Sequence, residues 1–149
     1  MYIDEALLVD EYGSDQVAAY CPDAGSLARA IENAEAETES VLQSAGYGAL
    51  TPSSNYTTTA EVPKIIKAAA AAAWLKQVLA ANVIEPNELQ RDRFAILAEI
   101  RDGAMTIAGI APSAAQAVGG VQFTESSDAV SVEDGSRPQV FNRKTMTGW

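Results

Sequence analysis

The chain contains no histidine, and that absence bounds its chemistry before any motif is considered. Ser-His and Cys-His nucleophile pairs, His-ligated zinc and imidazole acid–base catalysis are all removed. Carboxylates, lysines and tyrosines remain. Glu35 and Glu39 stand four apart, a spacing that puts both on one helix face and could present oxygens to a hard cation. No oxygen-rich loop completes such a site, and a solvated acidic face accounts for the pair better. Cys21 precedes Pro22 and Asp23 with no base or helix N-terminus clearly near to lower its pKa, so it reads as a structural or incidental thiol, and a single cysteine excludes an internal disulfide framework. "GYG" at 46–48 and "GG" at 119–120 lack the Lys-Ser/Thr ending of a phosphate loop. Neither catalysis nor a bound cofactor or metal is expected.

Charge is distributed unevenly. Residues 1–50 carry ten acids against Arg29 alone, whereas residues 51–104 hold six of each sign. Beyond residue 104 the only bases are Arg137, Arg143 and Lys144. A net charge of −10 argues against sequence-reading of nucleic acid, which needs a basic footprint. The N-terminal "MYIDEALLVDEYG" begins acidic rather than with a positive signal-peptide region, and no run of eighteen apolar residues is present. These features fit a cytoplasmic protein.

The elements that would carry these residues are mainly helical. Ile3, Leu7, Leu8 and Tyr12 recur at helical spacing, predicting a helix over 3–12 stopped by Gly13, followed by a short helical piece before Pro22. A second helix is predicted from Gly25 or Ser26 to about Gln43, with Leu27, Ile31, Ala34, Thr38 and Val41 inward and Glu32, Glu35 and Glu39 on an acidic face. "GYGALTPSSNYTTTAEV" is a long connection, anchored by Tyr47 and Tyr56. Pro63 suits a helix start, and "PKIIKAAAAAAWLKQVLAAN" is apolar on two faces, as a central helix should be. Its alanines permit close approach within the subunit or against a neighbour, and Lys64, Lys67, Lys76 and Trp74 are the candidates for inter-subunit packing. A further helix is predicted from Pro86 to about Gly103, and the β-branched "MTIAGI" suggests a strand or extended return over 105–110.

After residue 110 the composition shifts to small polar residues that lack the apolar density for a core. The expected architecture is a mainly α, small bundle of about four helices (1–110) with a long extended C-terminal arm (111–149), in which short β pieces such as "VQF" are possible. Extended, that arm would reach on the order of 100 Å. It ends "RPQVFNRKTMTGW", whose basic, β-prone and aromatic residues call for a partner surface.

The order of these features resembles the Mu-like phage head–tail adaptor family, also catalogued as a prophage domain of unknown function. The resemblance spans most of the chain, and its most specific parts are "VPKIIK", "IRDGAMTI" and the terminal "VFNRKTMTGW". Family members close with a Phe, a basic residue, a spacer and a Gly-aromatic pair; Phe141, Arg143, Gly148 and Trp149 match that pattern. The six-alanine run and an "AGYGAL" exit with only Tyr47 depart from it. The resemblance implies a non-enzymatic connector of the virion neck, assembled in the host cytoplasm. It would form a homo-oligomeric ring, typically a dodecamer, beneath the portal protein and against a tail-side neck or tail terminator protein. Double-stranded DNA would pass without sequence-specific binding, repelled by Glu32, Glu35 and Glu39, and no membrane is involved. Pro138, Val140, Phe141, Arg143, Lys144, Gly148 and Trp149 would dock the arm on portal or on a neighbouring subunit. The alternative is a cytoplasmic helical binding module that recruits a regulator through the same tail.

Overall fold

The helix Lys64–Ala81 is apolar almost all round, and the rest of the molecule is organised by the need to cover it. The computed structural model describes residues 1–112, which all belong to one compact unit and are mainly helical. Five α-helices follow one another: α1 (Glu5–Tyr12), α2 (Ser14–Tyr20), α3 (Ala24–Ser44), α4 (Lys64–Ala81) and α5 (Glu88–Arg101). No strand occurs among the described residues. α4 packs on α3 and α5, which also touch each other, while α1 and α2 form a short pair.

Local chemistry sets the boundaries. The Asp4 carboxylate accepts from Leu7 N–H at 2.8 Å and caps α1; Gly13, at φ +90°, ends it and leads into α2. Asp23 caps α3 by accepting from Ser26 N–H at 2.8 Å, so the helix starts at Ala24, just ahead of the predicted Gly25 or Ser26. Pro63 occupies the cap position of α4 rather than its first turn. Asn87 and Gln90 bond reciprocally at 2.9 Å, starting α5 two residues beyond Pro86.

In the core, Ala69 to Ala73 of α4 are all buried beside Ile66, Trp74, Leu75, Val78 and Leu79. Alanine there lets neighbouring backbones come close, and added methylenes would have to displace a packed element. Trp74 is fully enclosed, stacked on Tyr12 (5.5 Å between ring centroids) and tilted against Tyr20 (6.3 Å). The Tyr12 hydroxyl donates to the Ala71 carbonyl at 2.9 Å, bolting α1 to α4. Thr38, the buried polar side chain of α3, donates to the Ala34 carbonyl at 2.7 Å.

Two predicted elements are corrected. The helix predicted over 3–12 starts at Glu5, and Tyr2 and Ile3 instead lie in a non-helical strap with both side chains fully buried. The strand or extended return predicted over 105–110 is a helix exit and a turn. Gly103 (φ +77°) donates to the Ile100 carbonyl, Met105 to that of Glu99, and Ile110 to that of Ile107. No described strand offers these residues a ladder, so Ile107 is buried by a different route, its N–H donating to the Tyr47 hydroxyl at 3.3 Å.

Candidate interaction surface

The predicted acidic face of α3 is split by the structure into one free carboxylate and two that hold the chain together. Glu32 is exposed. Glu35 is half-buried and accepts main-chain N–H bonds from Tyr2 and from Ile3 (3.4 Å). Glu39, also half-buried, accepts from the Ser53 N–H. The physical cause lies in the strap and the loop, whose irregular backbone leaves donors that no helix satisfies; a carboxylate supplies a charge-assisted acceptor there. The terminal ammonium of Met1 donates to the Ser53 and Tyr56 carbonyls, and Thr59 Oγ1 donates to Asp4 Oδ2 at 2.6 Å, closing the same layer. Burial, reinforced by Glu39, pushes the Tyr2 hydroxyl pKa well up. Glu35 and Glu39 are therefore internal acceptors as well as members of the acidic face, and Glu32 is the one of the trio that stands free among the described residues.

Of the residues proposed for inter-subunit packing, Trp74 is also corrected. With no exposed surface it belongs to the subunit's own core and cannot reach a neighbour. Lys76 turns to α3, where its Nζ lies 2.7 Å from Glu37 Oε1, and Gln77 Nε2 donates to the other oxygen at 2.9 Å. Burial works against ionisation of Glu37, but these two donors and the lysine charge bring its pKa below the usual carboxylate range. Lys64 is exposed and Lys67 half-buried, both near the N-terminal end of α4, where the helix dipole disfavours cations. Neither makes an ion pair among the described residues.

Between α5 and α1, Arg93 binds Glu11 at 2.9 Å and lies 5.2 Å above the Tyr12 ring. A cleft of about 320 Å³ opens here between α1, α4 and α5, floored by Ala68, Ala71 and Ala72. The Cys21 thiol is buried, and burial followed by the Asp23 charge pushes its pKa up, the opposite of an activated thiol. No group of three potential metal ligands converges among the described residues, and no described helix is long and apolar enough to cross a membrane.

The surface that sequence reasoning missed is the α4–α5 turn. Val83 is 93% exposed, Leu89 76% and Ile84 42%, and with Met1 these are the exposed large apolar side chains among the described residues. Val83 also has φ +57°, a left-handed conformation that β-branched residues rarely adopt. A cleft of about 440 Å³ runs beside it, lined by Leu79, Ala80, Ile84, Pro86 and Phe94 among others. The signal in the sequence was "AANVIEPNEL": a helix end with Val where Gly or Asn is usual, then apolar residues with no periodic partner. Pro138, Val140, Phe141, Arg143, Lys144, Gly148 and Trp149 lie outside the described residues. No family model, curated protein or solved structure matches the chain.

Proposed function

We propose that this chain is a structural head–tail adaptor of a Mu-like phage, a helical subunit that forms a ring under the portal, extends the DNA channel and joins head to tail. The observation that carries the reading is the ordered set "VPKIIK", "IRDGAMTI" and "VFNRKTMTGW" in one acidic chain. The described body is compatible with it: "VPKIIK" opens the central helix α4, and "IRDGAMTI" forms the exit of α5 and the return that buries Ile107. Exposed acids such as Glu5, Asp10, Asp15 and Glu32, together with the net charge of −10, suit a wall past which DNA phosphates must slide without sticking. Lys64 and Lys67 offer a neighbouring acidic surface the only bases of α4 not committed inside the described body.

The arm comprising 111–149 docks on portal or on a neighbouring adaptor, with Phe141 and Trp149 as anchors. Mixing the full chain with purified portal and measuring particle mass tests this. Rings bound to portal are expected. Monomers indifferent to portal would overturn the adaptor reading in favour of the helical binding module.

A further inference from the structure

The α4–α5 turn combines three features with no use inside the subunit. Val83, 93% exposed, lines an apolar cleft of about 440 Å³, and Leu89, 76% exposed, follows in the first turn of α5. Val83 holds φ +57° without any packing of its own side chain to offset the strain. Two charged residues line the cleft: Lys76, engaged by Glu37 at 2.7 Å, and Glu85, whose side chain is 94% exposed and pairs only loosely with Arg91 at 3.8 Å; Glu88 is exposed at the start of α5. Apolar surface rimmed by polar residues marks an interaction site.

We propose that this turn is a docking site for residues 137–149 of a neighbouring copy of the chain, an inference that rests on the adaptor reading for the presence of that neighbour. The segment's chemistry complements the site. It carries Arg137, Arg143 and Lys144 with no acidic side chain, and Val140, Phe141, Met146 and Trp149 as apolar anchors. Every aromatic residue among the described ones is buried or half-buried, so the chain's remaining aromatics are Phe123, Phe141 and Trp149, all beyond Pro112. The cleft lies within the roughly 300–1,000 Å³ range that accommodates a large bound group. Reach is no obstacle, since residues 113–149 extended would span on the order of 100 Å. Phe141 or Trp149 enters the cleft against Leu79, Ile84 and Phe94, while Arg143 and Lys144 meet Glu85 and Glu88. Because a tail on one copy meets a turn on the next, the contact is heterologous and propagates around a ring.

Paired single-cysteine copies of the full chain, both in a Cys21→Ser background, test the site. One copy carries Ala80→Cys in the cleft and the other Thr147→Cys beside the terminal Gly-Trp. Mild oxidation should give cross-linked heterodimer in at least about tenfold excess over a control copy with Ala104→Cys. That control sits past the far end of α5, roughly 20 Å away for a helix of 14 residues. Adding Val83→Lys and Leu89→Lys, both at exposed positions, should abolish the excess while circular dichroism stays unchanged. Equal yields at Ala80→Cys and Ala104→Cys would overturn the proposal, as would Ala80→Cys copies joining mainly to each other. So would closure only within the chain in a third variant that carries both Ala80→Cys and Thr147→Cys. Sedimentation of the same samples with purified portal added separates the two readings. Rings that form on portal without the Ala80 preference sink the docking site and leave the adaptor standing. Preferential cross-linking among copies that never assemble on portal supports the site and overturns the adaptor.

Discussion

Replacing Trp74 distinguishes a core tryptophan from an interface one. Its side chain is fully enclosed between Tyr12 and Tyr20, at centroid distances of 5.5 and 6.3 Å. Trp74→Ala removes the largest fully buried side chain of the body, a change that costs about 3–5 kcal/mol in cores. Losing the two aromatic contacts places the expected value at the upper end, about 4–5 kcal/mol. For a domain whose total stability is of the order of 5–15 kcal/mol, that leaves a marginal fold. Trp74→Phe should behave differently. The indole Nε1 is buried with no hydrogen-bond partner among the described residues, and such an orphaned donor costs about 1–3 kcal/mol. Phenylalanine keeps most of the packing and removes the orphan, so a net change within about 1.5 kcal/mol is expected. Urea unfolding followed by far-UV circular dichroism gives both values, run at two well-separated protein concentrations. The variant differences should not depend on concentration. A Trp74→Ala loss below about 2 kcal/mol, or one that disappears on dilution, would refute the placement of Trp74 in the subunit core.

The remaining predictions concern the strap, the turn and the titrating groups. Glu35→Ala should cost about 1–2 kcal/mol, because it strips charge-assisted bonds from Tyr2 and Ile3; hydrogen exchange should accelerate at those two amides and leave α5 unchanged. Val83→Asn should stabilise the chain by about 1 kcal/mol in thermal or urea unfolding, since asparagine tolerates φ +57° and the valine side chain packs on nothing; a loss would remove the strain argument. The depressed pKa values of Glu37, Asp23 and Glu61 contribute stability that is present above the ordinary carboxylate range near pH 4 and is lost as pH falls through their lower folded values. Conversely, the raised values of Cys21, Tyr12 and Tyr2 contribute stability that is present below their unfolded pKa values and is lost as pH rises. A pH series of unfolding midpoints should therefore show a plateau with an acid and an alkaline limb, and a midpoint that rises below pH 4 would contradict these assignments.

The helices were legible because their determinants are local. Pro63 and Gly13 act within one turn, and the apolar run of α4 declares a central helix without any partner. The unread caps, Asp23 with Ser26 and Asn87 with Gln90, shift the starts of α3 and α5 by one or two residues. What escaped depends on partners far along the chain. Nothing near Glu35 or Glu39 announces that the N–H groups of Tyr2 and Ser53, 33 and 14 residues away, will need a carboxylate, so a surface acidic stripe was the natural expectation. The segment 105–110 looked β-prone by composition, yet its fate was decided by Tyr47, 60 residues upstream of Ile107. The exposed turn escaped for another reason. Val83 and Leu89 count as core residues on any hydropathy reading, and only the folded geometry of α4 and α5 shows them uncovered.

Ring closure of this chain on a portal is the proposal on which its role as an adaptor depends. The most direct measurement is electron microscopy of the purified chain mixed with the portal of a Mu-like phage. The account predicts an added helical ring coaxial with the portal channel, with the α4–α5 turn of each subunit against its neighbour. Portal particles that remain bare, with the chain monomeric beside them, would contradict it.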